Sequence, residues 1–234
     1  MIFFSQIVII RQDFSVLISF EGEEMQSYSK KVSMTVVKRL PRYYQYLKDL
    51  SDRDVEKISS KELAELMGLT ASQIRQDLNA FGAYGQQGYG YPVDELKNAI
   101  KEILGLTKPY NCIIIGSGNL GMAISHYERF RNEGIHILAM FDNNRQRVGM
   151  NTGSIPIYHT DDLESFIAEN AIDICILAIP REAGQEMVKR VCAAGIKAIL
   201  NFVPLDLTVP DDVVVENVNI TDSLYTLTFL LGES

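Results

Sequence analysis

The sequence predicts an α/β protein in which a helical N-terminal part precedes a mostly parallel sheet, and three observations support this prediction. Apolar residues recur at helical spacing between residues 36 and 104. A strand, a glycine turn and a single helix then follow one another at residues 111–130. Beyond them, short apolar runs alternate with amphipathic stretches as far as residue 231. Strands that alternate with helices are typical of parallel sheets covered by helices on both faces.

The composition is that of a globular chain with an uneven charge distribution. The 234 residues are 47% hydrophobic and carry a net charge of −8. Residues 30–108 carry a net charge of +3 and residues 109–234 a net charge of −8, so a basic part is joined to an acidic one. The three cysteines lie in apolar runs, which fits a reducing cytoplasm. Neither the cysteines nor the scattered histidines have metal-ligand spacing, so we expect no metal.

The first 30 residues fit neither part. Their apolar run at residues 7–10 ends at Arg11 and is too short to span a bilayer. They also lack the basic start and small-residue cleavage site of a signal peptide, so no membrane partner is expected. We predict that residues 1–30 are an extension that is disordered or not native, with Met25 or Met34 as alternative starts.

Two short helices joined by a three-residue turn are predicted in the basic part. The first ends at Gly68, a residue suited to a helix C-terminus, and the second begins at a capping-box pattern that starts with Thr70. This arrangement is typical of a helix-turn-helix, whose second helix enters the major groove of DNA. Its polar face could contact phosphates or base edges, although a merely solvated face is the alternative. The candidate DNA-binding residues on this face are Ser72, Gln73, Arg75, Gln76 and Asn79.

A glycine-rich stretch follows at residues 82–91. Glycine alternates there with tyrosine and amide side chains, which predicts two short strands around a tight turn, the wing of a winged-helix domain. Such a ribbon can lie close to a phosphate backbone, and amides can read the minor groove. Its candidate DNA-binding residues are Tyr84, Gln86, Gln87 and Tyr89. With a further helix from Val93 to Leu104, residues 31–106 form the predicted winged-helix domain.

The central strand runs into a turn of the G-x-G-x-x-G pattern. In such a turn Gly116 allows the tight bend, Gly118 lets backbone N–H groups approach a diphosphate, and Gly121 lets the helix pack on the strand. The second strand ends at Asp142, near the spacing of a carboxylate that binds a ribose 2′-hydroxyl. We therefore predict a Rossmann dinucleotide-binding domain at residues 107–218, although the turn could be merely structural. Its candidate cofactor-binding residues in the turn are Gly116, Ser117, Gly118, Asn119, Leu120 and Gly121.

Other strand ends extend the predicted site. The strand at residues 172–179 should end at the ligand crevice, which adds the candidates Ala178, Ile179 and Pro180. Arg145 and Arg147 could accommodate the 2′-phosphate of NADP, but Asp142 would repel it, so we expect NAD or NADH.

Together these motifs resemble the Rex family of bacterial redox-sensing transcriptional repressors. The resemblance covers residues 36–232 and rests on residues 68–78, the Phe81-Gly82 pair, residues 88–91 and the glycine turn. It implies a homodimer whose winged helices bind an AT-rich inverted repeat in double-stranded DNA. It also implies that the Rossmann domains bind NAD or NADH, and that NADH closes the dimer and releases the DNA.

The resemblance also assigns roles to single positions. Tyr127 matches a tyrosine near the nicotinamide, although it could instead be a helix-packing aromatic residue. Asn201 and Phe202, at the end of a predicted strand, match an Asn-Phe pair of the family, so Asn201 could contact the nicotinamide side or simply pack in the core. The C-terminal segment, residues 219–234, contains a helix with a wide apolar band, which in the family swaps into the partner subunit. Gln86 and Gln87 stand where many members carry a basic residue, so we expect DNA affinity to depend less steeply on salt.

Two other functions are compatible with the sequence: an NAD-dependent oxidoreductase, and a nucleotide-binding module of a larger complex. A dehydrogenase needs a proton donor or acceptor beside the nicotinamide. The sequence has no Tyr-x-x-x-Lys pair and no histidine with an evident carboxylate partner, so no catalytic residue is assigned. We therefore expect a sensor and not an enzyme.

Overall fold

The computed structural model consists of two compact units, Met1–Thr107 and Lys108–Ser234. The division falls one residue after the predicted domain boundary, which lies between residues 106 and 107. No helix among the described residues is long and apolar enough to cross a bilayer. The structure describes residues 4–12, 15–22, 28–81 and 90–232.

Three antiparallel strands begin the first unit, in the order β1-β2-β3. They are β1 (Phe4–Gln12), β2 (Ser15–Gly22) and β3 (Tyr28–Ser33). They begin in the segment for which the sequence predicts an extension that is disordered or not native. Residues 7–10 and 16–18 are rich in β-branched side chains, which favour strands, and only two residues separate the paired Gln12 and Ser15, as in a hairpin. That the segment is not native stays a prediction.

Five helices complete the described part of the first unit, and their apolar faces form one core that buries Tyr43, Leu63 and Phe81. A two-stranded antiparallel ladder lies beside them. Residues 82–89, most of the predicted wing, lie outside the described residues. The helices are α1 (Met34–Val37), α2 (Leu40–Ser51), α3 (Ser60–Met67), α4 (Ala71–Phe81) and α5 (Val93–Ile103), and the ladder pairs β4 (Lys57–Ile58) with β5 (Tyr91–Pro92).

Local sequence signals set the ends of α3 and α4. Ser59 and Glu62 form a reciprocal capping box at the start of α3. Gly68 ends this helix with φ at 64°, a left-handed conformation that glycine adopts at little cost. The hydroxyl of Thr70 then accepts a hydrogen bond from the backbone N–H of Gln73 at 3.1 Å and caps α4. The predicted helix-turn-helix is therefore present as α3 and α4.

A seven-stranded sheet forms the centre of the second unit. Its strands are β6 (Tyr110–Ile115), β7 (Ile135–Asp142), β8 (Asn151–Thr152), β9 (Ile155–His159), β10 (Ile174–Leu177), β11 (Ala198–Asn201) and β12 (Val214–Asn217). The order is β12-β11-β10-β6-β7-β9-β8, and all neighbours are parallel except β8 and β9. Sequence reasoning missed β8 and β9, whose pattern Gly153 and Pro156 interrupt. Because the chain passes from β6 to opposite sides of the sheet, β6 and β10 flank a topological switch point, where ligands bind in such folds.

Five α-helices accompany this sheet in the described part of the second unit: α6 (Asn119–Ser125), α7 (Glu128–Asn132), α8 (Leu163–Glu169), α9 (Arg181–Ala193) and α10 (Ile220–Gly232). The single helix predicted at residues 119–130 is wrong, since α6 and α7 are separate. Tyr127 has extended backbone angles, φ −75° and ψ 91°, that break the helix. Nδ1 of His126 lies 2.7 Å from the carbonyl oxygen of Met122 and closes the last turn of α6.

The last helix, α10, leaves its apolar side chains exposed on this single chain. Six of them are 55–74% exposed: Leu224, Tyr225, Leu227, Phe229, Leu230 and Leu231. Asn219 accepts a hydrogen bond from the backbone N–H of Thr221 at 3.0 Å, so the helix has a formed N-terminus. A contiguous apolar surface of this kind is typical of an interaction site.

Candidate functional site

The three glycines of the turn after β6 differ in the space around them. Gly116 has φ at 101°, and a Cβ on it would lie 2.2 Å from the carbonyl oxygen of Ala178. A Cβ on Gly121 would lie 1.9 Å from the carbonyl oxygen of Gly116, so α6 packs on the strand only without a side chain there. A Cβ on Gly118 would meet nothing closer than Nη1 of Arg147, at 3.8 Å. The first and third glycines therefore serve the packing of the chain, whereas the second leaves open space at the N-terminus of α6.

A cleft of about 510 Å³ opens beside this turn, at the carboxyl ends of β6, β7 and β10. Its volume lies in the range of small-molecule sites. Six predicted cofactor residues line it: Gly116, Gly118, Asp142, Ala178, Ile179 and Pro180. Of the other residues predicted in the turn, Ser117 and Asn119 adjoin lining residues in the chain, whereas Leu120 and Gly121 lie further along α6. Sequence reasoning missed Thr160, Ala183 and Met187 as lining residues; the position of Thr160 follows from the end of β9, a strand that the sequence did not reveal.

Asp142 connects the glycine turn to the end of β7. Its Oδ2 accepts hydrogen bonds from the backbone N–H and the hydroxyl of Ser117, at 2.8 and 2.6 Å. Its Oδ1 accepts one from the backbone N–H of Asn144 at 2.9 Å. Burial alone would raise the pKa of Asp142, but these hydrogen bonds and the nearby Arg147 lower it below its ordinary value. The carboxylate is therefore ionised at neutral pH, can accept from ribose hydroxyls, and disfavours a 2′-phosphate.

Tyr127 and Asn201 do not line this cleft. Tyr127 is 52% exposed, packs edge-on against Phe130 at 5.1 Å between ring centroids, and lines a second cleft of about 470 Å³. Its role near the nicotinamide stays a prediction. Asn201 is buried, and its side-chain N–H groups donate to the carbonyl oxygens of Val203 and Leu205, both at 3.1 Å. Asn201 therefore holds the loop after β11, which favours the packing alternative.

His159 has a carboxylate partner, which the sequence did not reveal. Its Nδ1 lies 2.9 Å from Oδ2 of Asp161, in the one-turn 3-10 helix Thr160–Asp162 that follows β9. When this nitrogen carries no proton, it accepts a hydrogen bond from the backbone N–H of Asp161 and caps the 3-10 helix instead. This short-range pair organises a turn. Among the described residues no cluster of three side chains could hold a metal ion.

In the first unit, α4 carries the predicted reading face. Ser72, Arg75, Gln76 and Asn79 are exposed, and Gln73 is half-buried. Nη1 of Arg75 donates to the hydroxyl of Ser60 at 3.1 Å, which joins the reading face of α4 to the start of α3. The wing candidates Tyr84, Gln86, Gln87 and Tyr89 lie outside the described residues.

A buried carboxylate on the other side of α4 was missed by sequence reasoning. Asp77 is 1% exposed and accepts hydrogen bonds from Nε and Nη2 of Arg39, both at 2.7 Å, and from the hydroxyl of Tyr43 at 2.9 Å. Nε2 of Gln73 also donates to Asp77, at 2.8 Å. Of the two hydrogen bonds of the predicted capping box, only the one from the backbone N–H of Gln73 to the hydroxyl of Thr70 therefore forms. Burial would raise the pKa of Asp77, but these donors lower it. The ion pair fastens α4 to the start of α2.

A helix-turn-helix and a dinucleotide cleft in one chain are typical of DNA-binding proteins that respond to a nucleotide. Two family models match accordingly. Residues 31–79 match the model described as "Putative DNA-binding protein N-terminus", and residues 107–205 match the model described as "CoA binding domain".

Curated relatives match over nearly their whole length. "Redox-sensing transcriptional repressor Rex" of Clostridioides difficile (strain 630) is 53% identical over 88% of this chain and 98% of its own length. The protein of the same name from Thermoanaerobacter pseudethanolicus is 53% identical over 88% of this chain and 92% of its own. The chain therefore belongs to the Rex family of redox-sensing transcriptional repressors. This confirms the resemblance. The family consists of transcriptional regulators, which agrees with the expectation of a sensor and not of an oxidoreductase.

Solved structures agree with this assignment. The crystal structure of RSP in complex with beta-NAD⁺ and operator DNA matches 86% of this chain and 93% of its own with 53% identity and a TM-score of 0.83. The structure of RSP with beta-NADH matches 86% of this chain and 95% of its own with 51% identity and a TM-score of 0.80. The predicted fold class, a DNA-binding N-terminal domain followed by a Rossmann-type sheet, is confirmed.

Proposed function

We propose that this protein is a transcriptional repressor that senses the ratio of NADH to NAD⁺. In this account it binds an AT-rich inverted-repeat operator as a homodimer, and NADH releases it from the DNA. The observation that carries the proposal is the open space at Gly118, at the N-terminus of α6 and inside a cleft at the switch point of the sheet. RSP, a relative of similar length, binds beta-NAD⁺, beta-NADH and operator DNA.

The cleft offers the groups that a dinucleotide requires. The unpaired backbone N–H groups at the start of α6, together with the helix dipole, favour a diphosphate beside Gly118. The ionised carboxylate of Asp142 suits the adenosine ribose, at the end of β7. Ala178, Ile179 and Pro180 provide an apolar wall at the end of β10, which suits the nicotinamide half. Asp142 favours NAD and NADH over their 2′-phosphorylated forms.

The helix-turn-helix offers the groups for a DNA site. Four exposed polar side chains follow one face of α4, and Arg75 can contact a guanine or a phosphate. The buried pair of Asp77 and Arg39 holds α4 in a defined orientation, so its outer face is presented to the groove without internal rearrangement. Because a two-fold dimer places two such helices in symmetric positions, an inverted repeat is the matching operator.

The exposed apolar band of α10 accounts for the dimer. A second copy of the chain can cover this band if the two C-terminal helices are exchanged, as we expect from the family. Cofactor binding would then shift the arrangement of the two subunits, and with it the spacing of the two reading helices. The operator of a bacterial repressor lies in the cytoplasm, so we place the protein there.

The test is the variant Gly118→Val, in which an added isopropyl group fills the open space at the start of α6. Binding to an AT-rich inverted repeat is measured by mobility shift with and without NADH. We expect NADH to release the wild type and to leave the variant bound. The control is Ala123→Val, which adds two methyl groups on the exposed side of α6 and should respond like the wild type. A Gly118→Val variant that NADH releases normally would refute the proposed place of the diphosphate.

A further inference from the structure

One arginine in the cleft has a position that neither the fold nor the cofactor preference explains. Arg147 belongs to the turn after β7, and its backbone N–H donates to the carbonyl oxygen of Asn144 at 2.9 Å. Its Nη1 lies 3.6 Å from Oδ2 of Asp142, on the ribose side of the cleft. The same nitrogen lies 3.8 Å from the point where a Cβ of Gly118 would be. One guanidinium thus reaches both the carboxylate and the open space at the start of α6.

The charges in the cleft favour such a group. The carboxylate of Asp142 is ionised and only 11% exposed, so it repels a second anion that enters the cleft. A dinucleotide brings two negative charges on its diphosphate. The partial positive charge at the N-terminus of α6 offsets part of this repulsion, and a full positive charge beside Gly118 would offset the rest.

Arg147 can move between the two anions. Its Nη1 lies 3.6 Å from Oδ2 of Asp142, which is longer than a charge-assisted hydrogen bond, so the contact is only an ion pair. The side chain of Arg147 is also 40% exposed. Asp142 does not depend on it, because Ser117 and Asn144 already donate three hydrogen bonds to that carboxylate. The guanidinium is therefore free to turn toward a ligand at low cost.

We infer that Arg147 binds the diphosphate of the dinucleotide, exchanging its contact with Asp142 for a contact with a phosphate oxygen beside Gly118. This inference rests on the proposed cofactor site. It assigns Arg147 to the part that NAD⁺ and NADH share, so Arg147 contributes equally to the affinity for both and leaves the discrimination between them unchanged. The alternative phosphate, the 2′-phosphate of NADPH, would lie next to the carboxylate of Asp142, which repels it.

The test compares Arg147→Gln with a matched control. Arg145→Gln removes the same charge two residues away, where the side chain is 83% exposed and faces Asp161 at 3.8 Å. Dissociation constants for NADH, NAD⁺, ADP-ribose and NADPH are measured by calorimetry on the full chain. We expect Arg147→Gln to weaken NADH, NAD⁺ and ADP-ribose about tenfold each, the value of one partly exposed charge-assisted hydrogen bond. We expect Arg147→Lys to restore part of the loss, and Arg145→Gln to change little.

Three results would overturn the inference. The first is a change no larger than that of Arg145→Gln. The second is a loss confined to NADH or to NAD⁺, which would place Arg147 at the nicotinamide. The third is a loss confined to NADPH, which would assign it to the 2′-phosphate. A wild-type chain that binds none of these ligands would instead contradict the proposed cofactor site itself, so the two failures are distinguishable.

Discussion

The buried carboxylate of Asp77 gives the most specific prediction about stability. In Asp77→Asn, the charge that faces the guanidinium of Arg39 is removed, and one of the two acceptor oxygens becomes an N–H donor. Breaking a buried ion pair from one side costs about 3–5 kcal/mol. Since the side chain of Arg39 is 25% exposed and water can reach it, we expect the lower value, about 3 kcal/mol in the free energy of unfolding.

Urea unfolding of the full chain, followed by circular dichroism, measures this loss. The control is Asp94→Asn, which removes an exposed carboxylate paired with Lys97 and should leave the urea midpoint of the first unit unchanged. The double variant Asp77→Leu with Arg39→Met should recover stability relative to Asp77→Asn, because it leaves no buried charge unpaired. An Asp77→Asn midpoint within error of the Asp94→Asn midpoint would refute the reasoning.

The same residue predicts a pH dependence. The pKa of Asp77 is lowered in the folded state, so the unfolded chain takes up its proton first as the pH falls. The stability that the ionised carboxylate contributes is therefore complete above the ordinary pKa of an aspartate, about 3.9, and is lost as the pH falls through the lower folded value. The difference in stability between wild type and Asp77→Asn should shrink over that acidic range and stay constant from pH 5 to pH 7. A difference that grows on acidification would contradict this sign.

Three further predictions concern other parts of the chain. In Gly121→Ala the new Cβ would lie 1.9 Å from the carbonyl oxygen of Gly116, so we expect the folded state to lose about 3 kcal/mol of stability, measured by thermal unfolding. The control Gly118→Ala, whose new Cβ would lie 3.8 Å from its nearest neighbour, should melt like the wild type. Arg75→Ala should weaken operator binding by about 1–3 kcal/mol in an anisotropy titration without lowering the melting temperature, and an unchanged footprint would remove Arg75 from the interface. Leu227→Glu places a charge in the apolar band of α10 and should shift the sedimentation coefficient from dimer to monomer; a stable dimer would show that the band does not form the interface.

Much of the fold follows from local signals that the sequence displays openly. The ends of α3 and α4 follow from a capping serine, a left-handed glycine and a capping threonine, each of which acts within four residues. The turn after β6 follows from the spacing of Gly116 and Gly121, because close contact with the backbone excludes any side chain at either position. Six of the predicted cofactor residues line one cleft because the parallel strands that carry them end at one edge of the sheet.

What the sequence did not reveal depends on partners that are distant in the chain. The burial of Asp77 is decided by Arg39, 38 residues earlier, and a count of apolar spacing contains no such information. The break between α6 and α7 depends on a histidine that closes the helix with its own ring. The cleft wall at Thr160 depends on β9, a strand whose pairing with β7 overrides the proline within it.

The central claim is that one cleft in this protein reads the redox state and sets DNA binding. The direct measurement is fluorescence anisotropy of a labelled AT-rich inverted repeat at constant total cofactor, with the ratio of NADH to NAD⁺ varied. We predict that the bound fraction falls as the ratio rises and that it returns when NAD⁺ is restored. A bound fraction that stays constant at every ratio, in a chain that calorimetry shows to bind NADH, would contradict the account.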